Sequence, residues 1–118
     1  MKKWKKPTKN FYMMPNDVFK LGLDPYEFMI LSYMVRRMNG ESECWPSFNT
    51  MSMDLGISVS TLEDRIAKLE KRKLISVRKY TGSGKHRNNV YTLWSLENPE
   101  VYQNHDAVKD DCLPLSIT

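Results

Sequence analysis

The chain has 118 residues, of which 41% are hydrophobic and 27% charged, a composition typical of one globular domain. No apolar run reaches the ~18 residues of a membrane-spanning helix, and no apolar segment follows the basic start as it would in a secretory signal. The two cysteines, Cys44 and Cys112, are too few for a disulfide framework. We therefore expect a cytoplasmic protein with no membrane partner.

Positive charge is concentrated in the first 96 residues. Residues 1–96 contain 17 Lys or Arg and 9 Asp or Glu, a net charge of +8, whereas residues 97–118 contain one Lys and five acids, a net charge of −4. A basic body with an acidic tail favours a polyanionic partner, and nucleic acid is the first candidate. A solvated basic surface without a partner would have the same composition.

The first ten residues, MKKWKKPTKN, are rich in lysine and show no hydrophobic periodicity. They predict a flexible basic arm over 1–10, which either binds a polyanion or serves as a solubilising tail. The stretch MPNDVFKLGL (14–23) then predicts a short turn of helix that Gly22 ends.

The DPYE sequence is a helix start signal. Asp24 stands at the capping position, Pro25 at the first helical position and Glu27 where a capping box requires it. The apolar residues that follow recur at helical spacing, so we expect a core helix that runs to about Asn39–Gly40. A loop or very short strand over 41–47 comes next.

Two shorter helices are predicted on either side of a glycine. Ser47 caps a helix that runs to Leu55, and Gly56 ends it. Ser58 then caps a third helix that runs to about Lys73. One side of the third helix is predicted to face the core, and it carries Leu62, Ile66, Leu69 and Lys73.

The hydrophobic period changes after the third helix. Two stretches rich in β-branched and aromatic residues, 74–80 and 88–96, flank the glycine-containing loop 81–87, TGSGKHR. The order of elements predicts an α+β, mostly helical fold. This is a winged helix-turn-helix, with a three-helix core and a C-terminal β-hairpin wing. We place this domain at 11–96 and an acidic C-terminal tail at 97–118.

The turn between the second and third helices has the residues that a helix-turn-helix needs. Gly56 tolerates a positive φ, and Ile57 supplies an apolar plug behind the turn. Leu62 and Ile66 fasten the third helix to the core.

The stretch CWPSFNTMSMDLGISVSTLEDRIAKLEKRKLI, followed by NNVYTL, resembles the winged helix-turn-helix domains common in small phage and plasmid proteins. Many of those are replication-initiation or regulatory proteins. The resemblance implies a double-stranded DNA-binding protein of a phage, plasmid or other mobile element, associated with the nucleoid. It implies a role in transcription regulation or in replication and DNA maintenance.

The third helix, about 58–72, is the expected recognition helix for the major groove. On a helical wheel Ser60, Glu63, Asp64 and Ala67 share one side of its exposed arc, and Thr61, Arg65, Lys68 and Arg72 share the other. We expect Ser60, Thr61 and Arg65 to carry most of the base reading.

The acids Glu63 and Asp64 are unusual at a DNA-facing position. They either serve the start of the helix, with Asp64 paired to Lys68, or let Asp64 accept a hydrogen bond from the N4 amine of cytosine. An acidic third helix also leaves open an alternative function, a winged-helix module that binds a protein partner.

Affinity for DNA is expected from phosphate contacts. The start of the second helix would hold a phosphate. The wing 81–87 would contact the DNA backbone or the minor groove, and the arm would follow a minor groove. The complete expected set is Ser47, Asn49, Thr50, Ser58, Ser60, Thr61, Asp64, Arg65, Lys68, Lys79, Lys85, His86, Arg87 and Asn88, with Lys2, Lys3, Lys5, Lys6 and Lys9 in the arm.

No catalytic arrangement is evident. Neither His86 nor His105 lies at metal-ligand spacing from the cysteines, so we expect no metal. The TGSGK run lacks the four residues that separate the glycines of a phosphate-binding P-loop. We expect no enzymatic activity and no cofactor.

A homodimer is expected, because one small module rarely achieves useful specificity and two-fold operators are the common solution. The dimer surface involves the first helix, the segment 11–23 or the tail. The apolar residues Leu113, Leu115 and Ile117 alternate along the tail, which fits an edge strand, a partner-binding segment or a frayed end.

Overall fold

The computed structural model describes residues 1–5, 9, 12–80, 82 and 88–99. A short 3-10 helix over Asn16–Lys20 precedes the main elements. These are α1 (Pro25–Arg37), β1 (Glu43–Cys44), α2 (Phe48–Leu55), α3 (Val59–Lys71), β2 (Ile75–Arg78) and β3 (Val90–Leu93). Three helices beside a small antiparallel sheet form a winged helix-turn-helix, so the predicted fold class is confirmed.

The sheet has the order β1-β3-β2, so that β3 is its central strand. Ile75 pairs with Leu93 at one end of the β2–β3 hairpin, and Arg78 pairs with Val90 at the end next to the wing. Both strands are shorter than the predicted 74–80 and 88–96. At the wing end the N–H of Tyr80 bonds a side-chain oxygen instead of a strand carbonyl, and the regular ladder stops there.

Helix α1 begins as predicted but ends earlier. Asp24 and Glu27 form a complete capping box with Pro25 in the first turn. The helix ends at Arg37, short of the expected Asn39–Gly40. The reason is the Asn39 carboxamide, whose Oδ1 accepts the N–H groups of Glu41 and Glu43 and so favours a turn over another helical turn.

The helix-turn-helix itself forms at the predicted residues. Ser47 accepts the Thr50 N–H and caps α2, and Ser58 accepts the Thr61 N–H and caps α3. Gly56 has a φ of +68°, the left-handed conformation that the turn requires.

The C-terminal end of α3 differs from the prediction. The helix stops at Lys71, and Lys73 is exposed with a φ of +66° instead of lying on the buried side. Arg72, predicted on the exposed arc, is buried and donates to the Leu21 carbonyl. Because the chain turns directly after Lys71, the position that follows Leu69 into the core is 72 and not 73.

The core lies between α1, α3 and the sheet. Each large apolar side chain that is fully buried contributes about 1.5–3 kcal/mol relative to its exposed state. The most deeply buried members from these elements are Ile30, Met34, Leu62, Leu69, Ile75 and Tyr91. This core fixes how α3 lies against α1 and therefore which face of α3 is exposed.

Candidate nucleic-acid interface

The starts of two helices and the base of the wing meet around one surface groove of about 530 Å³, here called the helix-end groove. The described side chains that line it carry no charge. They are Pro46, Ser47, Phe48 and Asn49 at the start of α2, Val59 at the start of α3, and Tyr80, Asn88, Asn89 and Tyr91 at the base of the wing. The groove therefore joins the three parts of the fold that sequence reasoning assigned to DNA.

The two helix starts are capped in the same way. The Ser47 hydroxyl accepts the Thr50 N–H at 3.0 Å and donates to Thr50 Oγ1 at 2.9 Å. Ser58 repeats the pattern on Thr61, with distances of 3.3 Å and 2.9 Å. The other first-turn N–H groups of each helix have no intrahelical acceptor, and the helix dipole makes this end favourable for anions.

Two asparagines shape the base of the wing. Asn88 Nδ2 donates to the carbonyl oxygen of Trp45 at 3.0 Å, and Asn89 Oδ1 accepts the Tyr80 N–H at 2.9 Å. Lys79 is exposed immediately after β2. The predicted wing residues Lys85, His86 and Arg87 lie outside the described residues.

The arm is described only in part. Lys2, Lys3, Lys5 and Lys9 are exposed, whereas Lys6 lies outside the described residues. Residues 100–118 of the tail, including the alternating Leu113, Leu115 and Ile117, also lie outside them.

The outward face of α3 is polar and partly acidic. Its exposed residues in the first three turns are Ser60, Glu63, Asp64, Ala67 and Lys68. The predicted pairing of Asp64 with Lys68 is confirmed, with 3.6 Å between Oδ2 and Nζ. Both side chains are more than half exposed, so this surface pair contributes at most about 1 kcal/mol to stability.

Arg65 does not share this outward face. Its Nε lies 3.3 Å from Asp24 Oδ2, and its guanidinium lies 5.5 Å from the centre of the Tyr26 ring on α1. Its NH1 group also contacts Asp64 Oδ2 at 3.3 Å. With 23% of the side chain exposed, Arg65 could read a base only after breaking these contacts.

Sequence reasoning missed part of the helix-end groove. Tyr80 and Asn89 line it, and Tyr80 keeps 46% of its surface exposed. The available signal was the hairpin register, because pairing Arg78 with Val90 brings the next residues of the two strands together. Phe48 and Val59 also line the groove, although helical periodicity assigns apolar residues to the core.

A partly buried junction holds α2 on α1. The Tyr33 hydroxyl donates to Asp54 Oδ2 at 2.5 Å and accepts from Arg37 at 2.8 Å. Arg37 also lies 3.6 Å from Asp54. Burial, together with the hydrogen bond to Asp54, raises the pKa of Tyr33, so its hydroxyl keeps the proton that it donates.

A second, apolar groove of about 670 Å³ lies at the end of the sheet away from the wing. Segment 13–16, the second half of α1 and the residues after β3 form its walls. Met13, Met38 and Trp94 line it and are exposed by 79%, 39% and 49%. It is therefore separated from the helix-end groove by the length of the hairpin.

A metal-binding cluster and a membrane-spanning helix are both absent from the described part of the chain. No group of three or more His, Cys, Asp or Glu residues is placed there to hold a metal ion. None of the helices described there is long and apolar enough to cross a membrane.

Comparison with known proteins gives a family match over the region just described. The family model described as "Helix-turn-helix domain" matches residues 21–75, which contain α1, α2 and α3. Strands β2 and β3 follow the matched region and add the wing, so the chain has a winged helix-turn-helix fold.

A solved structure has the same fold. It is a "Possible transcriptional regulator" from Methanosarcina mazei Go1, which matches with a TM-score of 0.53 and 17% sequence identity. The match covers 86% of this chain and 81% of that one. At this identity the likeness establishes the fold alone. A search of curated proteins gives no significant match.

Proposed function

We propose that the protein is a regulator that binds double-stranded DNA, with α3 in the major groove and the helix-end groove against the phosphate backbone. One observation supports this most strongly: the starts of α2 and α3 and the base of the wing converge on a single groove. A duplex backbone that follows this groove meets two helix N-termini and the wing together.

Phosphate binding in the groove would use neutral groups. Ser47, Asn49 and Thr50 stand in the first turn of α2, where free N–H groups and the helix dipole favour an anion. Charge would come from outside the groove, with Lys79 beside it and Lys85 and Arg87 in the wing sequence. This division predicts binding that depends strongly on salt through the wing and less through the helix start.

Base reading would come from the outward face of α3. Ser60, Asp64 and Lys68 are exposed there, and Thr61 lies at its edge. Hydroxyl groups read either partner of a base pair, and a carboxylate accepts from the N4 amine of cytosine. We therefore expect Asp64 to favour a C·G pair at the position it faces.

The biological setting is a separate part of the proposal. The structural neighbour is titled a possible transcriptional regulator, and transcription regulation is accordingly the role proposed here. The resemblance to phage and plasmid domains supports replication or DNA maintenance in a mobile element as the alternative role. A homodimer on a two-fold site fits either role, because the exposed recognition surface of one copy is small.

The acidic face of α3 favours a second candidate function. Glu63 and Asp64 are both exposed on this face, although Arg65 and Lys68 each contact Asp64. A basic protein surface would complement this face, whereas DNA phosphates would be repelled by it. In that case the module would bind a protein through α3.

Fluorescence anisotropy separates the two functions. The full chain is titrated with a random-sequence duplex, the matching single strand and heparin, each at several salt concentrations. The proposal predicts preference for the duplex and a steep salt dependence that Lys79→Ala reduces. Lys20→Ala is the matched control, since Lys20 is an exposed lysine on the 3-10 helix, paired with Asp17. Equal binding to all three polyanions, or equal effects of both substitutions, would reject this interface.

A further inference from the structure

Asp24 has two roles at the point where α1 meets α3. Its Oδ1 accepts the Glu27 N–H at 2.7 Å and so caps α1. Its Oδ2 lies 3.3 Å from Arg65 Nε, across the junction with α3. The start of α1 and the middle of α3 are thus joined through one carboxylate.

We infer that Arg65 is a positioning residue that fixes the rotation of the recognition helix about its own axis and does not itself contact DNA. This inference rests on the proposed function. It assigns to Arg65 a role different from the base reading that the wheel of α3 suggests.

The surroundings of Arg65 support a fixed position. Its guanidinium is held by Asp24 on one side and Asp64 on another, and it lies over the ring of Tyr26. A planar guanidinium uses ion pairing and stacking together, which a lysine ammonium cannot reproduce. The buried Nε contacts Asp24 as an ion pair without forming a hydrogen bond, so this contact is stabilised mainly by charge attraction.

The apolar contacts of α3 set which face is buried, but apolar packing is not directional and resists a small rotation about the helix axis less than a fixed ion pair does. Leu62, Ile66 and Leu69 lie along one stripe of the helix and form that buried face. Arg65 lies on the flank of that stripe, where a contact to another helix opposes rolling. A rotation of α3 about its axis would displace Ser60 and Lys68 relative to the base edges. It would therefore weaken base recognition more than phosphate binding.

The distribution of charge gives the same result. Asp64 contacts both Arg65 and Lys68. Of these two cations, Lys68 is more than half exposed and Arg65 is mostly covered. Lys68 is therefore the residue of this cluster that a phosphate can reach without rearrangement. Arg65 is expected to remain in the junction when DNA binds.

Substitutions at the junction test the inference. Asp24→Asn keeps an efficient helix cap but removes the charge that holds Arg65. Arg65→Lys keeps the charge of α3 but loses the planar group. Lys68→Ala is the comparison, because it removes an exposed charge on the same helix. Each variant is checked for an unchanged far-UV circular dichroism spectrum and cooperative thermal unfolding.

Binding is measured with two probes, a duplex enriched from a randomised pool by the wild-type protein and a random-sequence duplex. We expect Asp24→Asn and Arg65→Lys to weaken binding to the enriched duplex by about 5- to 10-fold. Binding to the random duplex should stay within about twofold, with an unchanged salt slope. Lys68→Ala should weaken both probes and lower the salt slope by about 1.

Coupling between the two residues gives a further readout. The double variant Asp24→Asn/Arg65→Lys should bind the enriched duplex no more weakly than the worse single variant, because both changes break the same junction. Additive losses would contradict a shared role.

Two further results overturn the inference while leaving the proposed function intact. One is a loss on the random duplex with a lower salt slope for Arg65→Lys, which would make Arg65 a phosphate contact. The other is an Asp24→Asn variant that prefers the enriched duplex over the random duplex as strongly as the wild type does. A wild-type protein without preference for duplex DNA would reject the proposed function and the inference together.

Discussion

Asn88 Nδ2 donates a 3.0 Å hydrogen bond to the carbonyl oxygen of Trp45, and this bond ties the base of the wing to the segment that leads into α2. The two residues are 43 positions apart in the chain, so the contact depends on the assembled fold. Because Asn88 also lines the helix-end groove, the bond fixes one wall of the surface proposed to meet DNA.

Removing this bond should affect binding more than stability. Asn88→Ala is expected to weaken binding to a random duplex by about 3- to 10-fold, since the wing loses one of its fixed points. The exposed bond is worth only about 0.5–1 kcal/mol, so the melting temperature should fall little. Anisotropy and thermal denaturation measure the two effects. Asn98→Ala, an exposed asparagine outside the groove, is the control, and an equal loss of binding in both variants would contradict the role of Asn88.

The turn between α2 and α3 should depend on the conformation of one glycine. A Cβ at Gly56 would meet no atom within 4 Å, yet its φ is +68°. Gly56→Ala should therefore lower the free energy of unfolding by about 1–2 kcal/mol through backbone strain alone. Gly40→Ala is the matched control, because a Cβ there also meets open space and no positive φ is involved. Urea unfolding measures the free energy of unfolding of both variants. Equal values for Gly56→Ala and Gly40→Ala would contradict the prediction and mean that the turn adapts to alanine.

The Tyr33 hydroxyl should stabilise the junction of α1 and α2. Tyr33→Phe removes its hydrogen bonds to Asp54 and Arg37 but keeps the ring in the core. We expect a loss of about 1–2 kcal/mol, since both partners are charged but remain partly exposed. Chemical denaturation measures the loss. Tyr12→Phe is the comparison on a more exposed ring, whose hydroxyl contacts the uncharged Ser32 side chain and is therefore expected to contribute less.

Stability should decline at alkaline pH because of Cys44. Burial raises the pKa of the Cys44 thiol from 9.0 to about 11. Between these values the unfolded chain loses the thiol proton while the folded chain keeps it, so folding becomes less favourable as the pH rises. The loss of folding free energy from this thiol reaches about 1–3 kcal/mol above pH 11. Burial also raises the pKa values of Tyr33 and Tyr91, which adds to the decline above about pH 10.

The measurement for this prediction is urea unfolding from pH 8 to 11 for the wild type and for Cys44→Ala. The substitution lowers stability at pH 8 because it leaves a cavity, but the alkaline decline should be shallower. A decline of the same steepness in both proteins would remove Cys44 as its cause.

Local interactions could be predicted from the sequence, and contacts between distant segments could not. The caps at Asp24, Ser47 and Ser58 and the pair Asp64–Lys68 each join residues at most four positions apart, so spacing alone predicts them. The contact of Arg65 with Asp24 spans 41 positions and depends on how two helices cross. The helical wheel placed Arg65 on the exposed arc of α3, because a wheel does not show which other element a side chain will meet.

Small shifts of element ends account for the remaining differences. The Asn39 side chain ends α1 early, and the turn after Lys71 buries Arg72 in place of Lys73. Such changes depend on side-chain hydrogen bonds that periodicity does not register. In the candidate site, Tyr80 and Asn89 could be added only once the register of the hairpin was known.

DNA is expected to lie against the helix-end groove and α3. Chemical-shift mapping of ¹⁵N-labelled protein with a random-sequence duplex tests it residue by residue. The largest amide shifts are expected over 47–50, 58–68 and 88–89, with little change around Met13, Met38 and Trp94 in the apolar groove. Shifts confined to the apolar groove, or an unchanged spectrum at duplex excess and low salt, would contradict it.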